Sequence, residues 1–120
     1  MKSHKVVSYS LGDIVDKMTI LSLKIHFGEE DAISEHRYLE KSVPHGKLLT
    51  NAIRLAHMNL MIWNLENEIR KGGENKFTLE EIGRRALEIR DLNRRRIKYK
   101  NKINDMTRDF REHKINHRSQ

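Results

Sequence analysis

The apolar positions of the chain fall into helical rows separated by few breaks. Leu11, Ile14, Met18, Leu21 and Ile25 recur at steps of three and four, which marks one face of a helix. Ile20, Leu23 and Phe27 widen that stripe and predict a first helix buried on more than one side. Ser10 and Asp13 form a capping box at its start, and Gly28 is the expected left-handed residue at its end. A weaker row of Ala32, Ile33, His36, Tyr38 and Leu39 predicts a shorter helix over about residues 30–41. Ser42-Val43-Pro44-His45-Gly46 breaks it, because proline disfavours helix in the residue before it.

A third helix is predicted over about residues 47–71, stopped by Gly72-Gly73. It carries two stripes: Leu49, Ala52, Ile53, Ala56, Leu60 and Trp63, and beside them Leu48, Leu55, Ile62 and Ile69. A fourth starts at Thr78, where Glu81 completes a second capping box, and runs to about His113. Its row, Ile82, Ala86, Ile89, Asn93, Arg96, Lys100, Ile103, Thr107 and Phe110, alternates steps of four and three like a heptad seam. The short connection around Gly72-Gly73 makes helices three and four an antiparallel hairpin. The expected fold is therefore all-α: a long antiparallel helical hairpin with a packed N-terminal helix, bundle-like. Residues 1–120 read as a single helical domain, with an N-terminal arm over 1–9 and a flexible polar tail over 114–120.

Composition narrows the classes. Six glycines and one proline are too few for a turn-rich all-β fold. Hydrophobic residues are 37% and charged residues 34%, a balance that suits long helices with one buried stripe or a chain that completes its core by oligomerising. Ile103, Met106 and Phe110, left uncovered in a two-helix hairpin, need either helix one or a second chain over them, and a homodimer is the favoured reading. The absence of cysteine excludes disulfides and cysteine-ligated zinc and fits a reducing compartment. No apolar run approaches the ~20 residues of a membrane span. The Met1–Val7 start is short and polar for a signal peptide, so the expected location is cytoplasmic and no membrane partner is expected.

The formal charge of +7 and pI of about 9.8 suit anionic partners, nucleic acid among them. Arg84, Arg85, Arg90, Arg94, Arg95 and Lys98 decorate helix four, but Glu81, Glu88 and Asp91 interleave with them. A solvated face with i,i+4 pairs is the favoured reading, with nonspecific nucleic-acid binding an alternative.

Polar residues set among apolar ones are the sharpest feature. Asn59, Trp63, Glu66 and Arg70 share one face of helix three, and the rest of the chain is expected to pack around it, with Trp63 in the core. The candidate ligand-binding set is Lys17 and Lys24 on helix one, Asn59, Glu66 and Arg70 on helix three, and Asn93, Arg96 and Lys100 on helix four. Buried charges must pair, reach water or meet a ligand. One reading is an internal salt-bridge and amide network that fixes helix register. The other is a pocket for a small anionic or phosphorylated ligand, made by Arg70, Arg96 and Lys100 with Lys17 or Lys24. Counted with Asp16 and Glu66, five cations face two acids, and Asp13 reduces the imbalance.

Several segments carry a family resemblance: Ser10-Leu11-Gly12-Asp13-Ile14-Val15-Asp16-Lys17-Met18-Thr19-Ile20-Leu21 with Lys24-Ile25, then Asn59, Ile62-Trp63, Leu65-Glu66 and Glu68-Ile69-Arg70, then Asn93, Arg95-Arg96, Lys100 and Ile103-Asn104. With these the chain resembles a family of small helical bacterial and phage proteins whose domain has no assigned function. Ile62 stands where that family usually has leucine, and Asp13 where it usually has glutamate. The resemblance implies a helical fold and brings no activity with it.

No catalytic constellation is legible, so the reading leans away from an enzyme. Helix one looks faintly like that of small all-helical chorismate mutases, but their arginine spacing is missing. The repeated Glu-x-x-Glu pairs that all-helical nucleotide pyrophosphohydrolases use for magnesium are missing too. His113 and His117 stand at i,i+4 without a third ligand, and no Gly-rich phosphate loop or HExxH is present, so neither cofactor nor metal is expected. The functional expectation is a helical binding or assembly module, oligomeric, with a buried polar network.

Overall fold

The computed structural model describes residues 10–73 and 77–110, without the side chains of 108–110. It is all-α, as the apolar rows require: α1 (Leu11–His26), α2 (Ala32–Ser42), α3 (Gly46–Glu68) with a π-helical turn Ile69–Gly73, and α4 (Leu79–Phe110). No strand occurs among the described residues, and no helix there is long and apolar enough to cross a membrane. The arm over 1–9 and the tail from residue 111, with His113 and His117, lie outside the described residues.

The ends of the helices follow the expected chemistry. Ser10 Oγ accepts from the Asp13 amide at 3.1 Å and caps α1. Gly28 has φ 94°, a left-handed position that a side chain would strain. At α4 both halves of the capping box form. Thr78 N–H donates to Glu81 Oε1 at 2.9 Å, and the Glu81 amide donates to Thr78 Oγ1 at 3.1 Å. The α3 end differs from the simple glycine stop. The helix widens into a π turn through Gly72-Gly73 before the chain leaves it.

Cα packing divides the chain into two compact units, one up to Ile53 and one from Arg54. In the first, α1 packs on α2. Met18 and Leu21 of α1 and Ala32 of α2 are buried. Between the helices Ser22 Oγ and His36 Nε2 share a buried hydrogen bond of 3.2 Å. The α2–α3 turn is tight: His45 takes φ 57°, and a Cβ on Gly46 would collide with the Glu40 carbonyl, so only glycine fits there. Ile20, Leu23 and Phe27, expected to bury a second side of α1, are exposed.

In the second unit α3 and α4 form the antiparallel hairpin. Glu68 pairs with Arg85 and Asn59 with Arg96, so residue numbers rise on one helix as they fall on the other. Met58, Ile62, Leu92 and Tyr99 are its buried core, with Leu55, Met61, Leu65 and Ile89 packed around them. The seam on α4 runs Ile82, Arg85, Ile89, Leu92, Arg96, Tyr99, Ile103 and Met106, every one buried or half-buried. This corrects the sequence row at alternate positions. Ile82, Ile89, Arg96 and Ile103 stay, but Arg85, Leu92, Tyr99 and Met106 take the seam from Ala86, Asn93, Lys100 and Thr107; of these Ala86 and Lys100 are exposed, and Asn93 and Thr107 are half-buried beside the seam. The choice is a matter of area: Leu92 and Tyr99 remove far more apolar surface from water than an asparagine and a lysine one position on. Arg85 earns its place by lying over Phe77, 3.8 Å from the ring centroid, while Nε reaches Glu68 at 3.1 Å.

The register is testable by substitution. Leu92→Ala should cost about 2–5 kcal/mol in urea unfolding, whereas Lys100→Ala should stay within about 0.5 kcal/mol. Equal losses at the two positions would contradict the seam.

Candidate functional site

The eight sequence-selected polar residues are divided between the two units, two in the first and six in the second. Lys17 and Lys24 belong to the first unit, and both are exposed. Lys17 Nζ lies 3.3 Å from Glu35 Oε2, an ion pair with both partners about half exposed, worth little to stability. This pair edges a cleft of about 270 Å3 lined by Asp13, Ile14, Asp16, Lys17, Glu35 and Leu39. Three carboxylates face one ammonium there, so its charge is opposite to that of an anion pocket.

In the second unit Arg96 Nε donates to Asn59 Oδ1 at 2.9 Å, a bond of the expected network formed as a side-chain pair across the hairpin. Arg96 and Asn93 are half-buried, and Asn59, Glu66, Arg70 and Lys100 are exposed. The hairpin register separates Arg70 from the other two expected anion ligands, Arg96 and Lys100, which lie one turn apart on α4. Arg70 lies one π turn beyond Glu68, the partner of Arg85, whereas Arg96 is opposite Asn59. The eleven steps from Asn59 on α3 to Arg70 in the π turn amount to roughly 17 Å along the axis. One phosphate cannot bridge that span.

The buried polar atoms lie elsewhere, and the sequence reading passed over them. Ser22 and His36 form the buried pair of the first unit. Thr50 Oγ1 and Asn51 Oδ1 are buried at the start of α3 with no hydrogen-bond partner among the described residues, although Asn51 Nδ2 donates to Lys47 O at 2.8 Å. For Ser22, Thr50 and Asn51 the available signal was a short polar side chain among apolar neighbours, and for His36 its place in the apolar row of the second helix.

The face that was expected to organise the fold is on the surface. Asn59, Trp63, Glu66 and Arg70 are all exposed, and Trp63 keeps 56% of its area in contact with solvent. Leu60 beside it keeps 57%. The reason is competition between the two stripes of α3. At 100° per residue the row Leu55, Met58, Ile62 and Leu65 points about 145° away from the row Ala56, Leu60 and Trp63. Only the first is met by α4. Leu55–Leu65 contains no Asp, Glu, Lys or Arg, in a chain whose charged share is 34%. A helix without charge all round is the pattern of one covered all round. Here one side is covered and the other open.

Charge is instead concentrated on α4. Its surface ion pairs are loose, with Arg90 3.6 Å and Arg94 3.9 Å from Asp91. At its start the Glu81 carboxyl is held below its ordinary 4.5, chiefly by the Thr78 backbone N–H; desolvation opposes this as the next largest effect, and the Thr78 hydroxyl, Arg85 and Arg84 add to the lowering. Among the described residues no group of three His, Cys, Asp or Glu is placed to hold a metal ion. No protein-family model, no curated protein and no solved structure matches the chain.

A depressed carboxyl stabilises the folded cap above the ordinary value, and that contribution is lost as pH falls through the folded one. The Thr78 amide resonance should therefore titrate with a midpoint below 4.5, and Glu81→Gln should abolish the titration. A midpoint at or above the ordinary value would contradict the capping geometry.

Proposed function

We propose that the protein is a helical interaction module that seats a partner on the open face of α3. The observation that carries this reading is the exposure of Leu60 and Trp63 on a helix segment with no charged residue. Single exposed apolar residues need no explanation, but a tryptophan and a leucine one turn apart on an uncharged face are the kind of patch that interfaces cover. Tryptophan is also the side chain most often found to anchor a complex. The hairpin supports the patch from behind. Met58 and Ile62, on the opposite side of the same turns, are locked into the α4 seam, so the open face is presented by a rigid helix.

This reading assigns the chain no catalysis. The polar residues of the hairpin act in it as surface and register elements, with Arg96 holding Asn59 beside the patch.

An uncharged apolar dye tests whether the face is available. The full chain at low micromolar concentration should bind it, and the double variant Leu60→Glu/Trp63→Glu should bind much less, with unchanged helical circular dichroism and stability within about 0.5 kcal/mol. Dye binding indifferent to the double change would remove the face as an interaction surface.

A further inference from the structure

We propose that the occupant of the α3 face is a second copy of this chain, seated antiparallel across a two-fold axis level with Met61 and Ile62; this rests on the interaction-module reading above. The face reads Ala56, Leu60, Trp63, Asn67, at steps of four, three and four. These steps are the same in both directions. An antiparallel copy therefore brings the row onto itself, with Leu60 against the partner's Trp63 and Ala56 against the partner's Asn67, each contact occurring twice. This is the self-complementarity a two-fold interface requires.

Size and charge both fit. The two largest apolar side chains meet at the centre, where water is most fully excluded. The smallest, Ala56, lies opposite the only polar member of the row, Asn67, which falls at the rim.

A chain of formal charge +7 repels its own copy, so self-association must use a surface free of cations. The α4 surface does not qualify, with Arg84, Arg90, Arg94, Arg95, Lys98 and Lys100 exposed along it. The open side of α3 does along the seam from Ala56 to Asn67, whose flanks between Leu55 and Leu65 are Asn59 and Asn64; Arg70, on the same side, follows beyond the end of the row. Glu66 then falls beside the partner's Asn59, an acceptor next to an amide donor.

The row from Ala56 to Asn67 spans roughly 17 Å of helix. A seam that short belongs to the small, transient class of interface, so dissociation in the micromolar range is expected.

Sedimentation velocity on the full chain from about 1 µM to about 500 µM, with Trp63 emission read on the same samples, tests the proposal. The wild type should pass from monomer to dimer, and the emission of its single tryptophan should move to shorter wavelength as it does so. Leu60→Glu should stay monomeric with helical content unchanged. Asn67→Leu should tighten the dimer several-fold by giving Ala56 an apolar neighbour, a gain that misfolding cannot imitate. A wild type monomeric throughout with solvent-exposed emission, or a Leu60→Glu chain that dimerises like the wild type, would overturn the second-copy assignment. In the first case, dye binding that still depends on Leu60 and Trp63 leaves the interaction module standing with a different partner. Dye binding indifferent to them removes both.

Discussion

The seam between α3 and α4 is the contact on which the second unit depends. Met58 and Ile62 on one helix meet Leu92 and Tyr99 on the other, and among the described residues of the hairpin no other group of apolar side chains is as fully removed from water. Each fully buried side chain of this size contributes about 1.5–3 kcal/mol relative to exposure. Polar contacts add direction more than stability. Arg96 reaching Asn59 and Arg85 reaching Glu68 fix how far one helix has slid along the other, because a shift of one residue would break both. Two half-buried arginines in an otherwise apolar row thus specify the register that the apolar side chains alone would leave loose.

That seam also determines what remains open. A helix has one direction for its partner, and α3 spends it on Met58 and Ile62. The other row, with Leu60 and Trp63, is turned well away from α4 by the geometry of the helix. The chain did not place charges there, as it did on the solvent side of α4. The hairpin therefore has two unlike surfaces: a charged one on α4 and an uncharged one on α3 where contact costs little desolvation of ions. The first unit is built differently. Its helices meet over Met18 and Leu21 and bury a Ser22–His36 hydrogen bond, and its tight α2–α3 turn admits only glycine at position 46.

Much of the fold was legible in the sequence, and the reasons are local. Ser10, Gly28, Thr78 and Glu81 mark helix ends through hydrogen bonds within one turn, so their placement needs no tertiary information. The hairpin followed from the glycines between two long apolar rows. What was not legible was which of two neighbouring rows is buried. On α4 the positions one residue apart, Leu92 or Asn93 and Tyr99 or Lys100, both satisfy a heptad spacing. On α3 Leu60 and Trp63 satisfy it as well as Met58 and Ile62. Periodicity fixes the angle between rows and not which row has a neighbour. The placing of the candidate polar residues was illegible for a related reason. Arg70, Arg96 and Lys100 sit on apolar-looking rows, but the antiparallel register sets Arg70 well along the hairpin axis from Arg96 and Lys100.

The central claim is that α3 has two apolar faces with different fates, and oxidative footprinting reads both in one sample. Met58 and Trp63 lie on opposite sides of the same helix and are both open to hydroxyl-radical attack when wet. Met58 should be protected at every protein concentration, because α4 covers it within the chain. Trp63 should react freely in dilute solution and become protected as concentration rises. Met58 reacting alongside Trp63 would contradict the seam, and Trp63 protected even in dilute solution would contradict the open face.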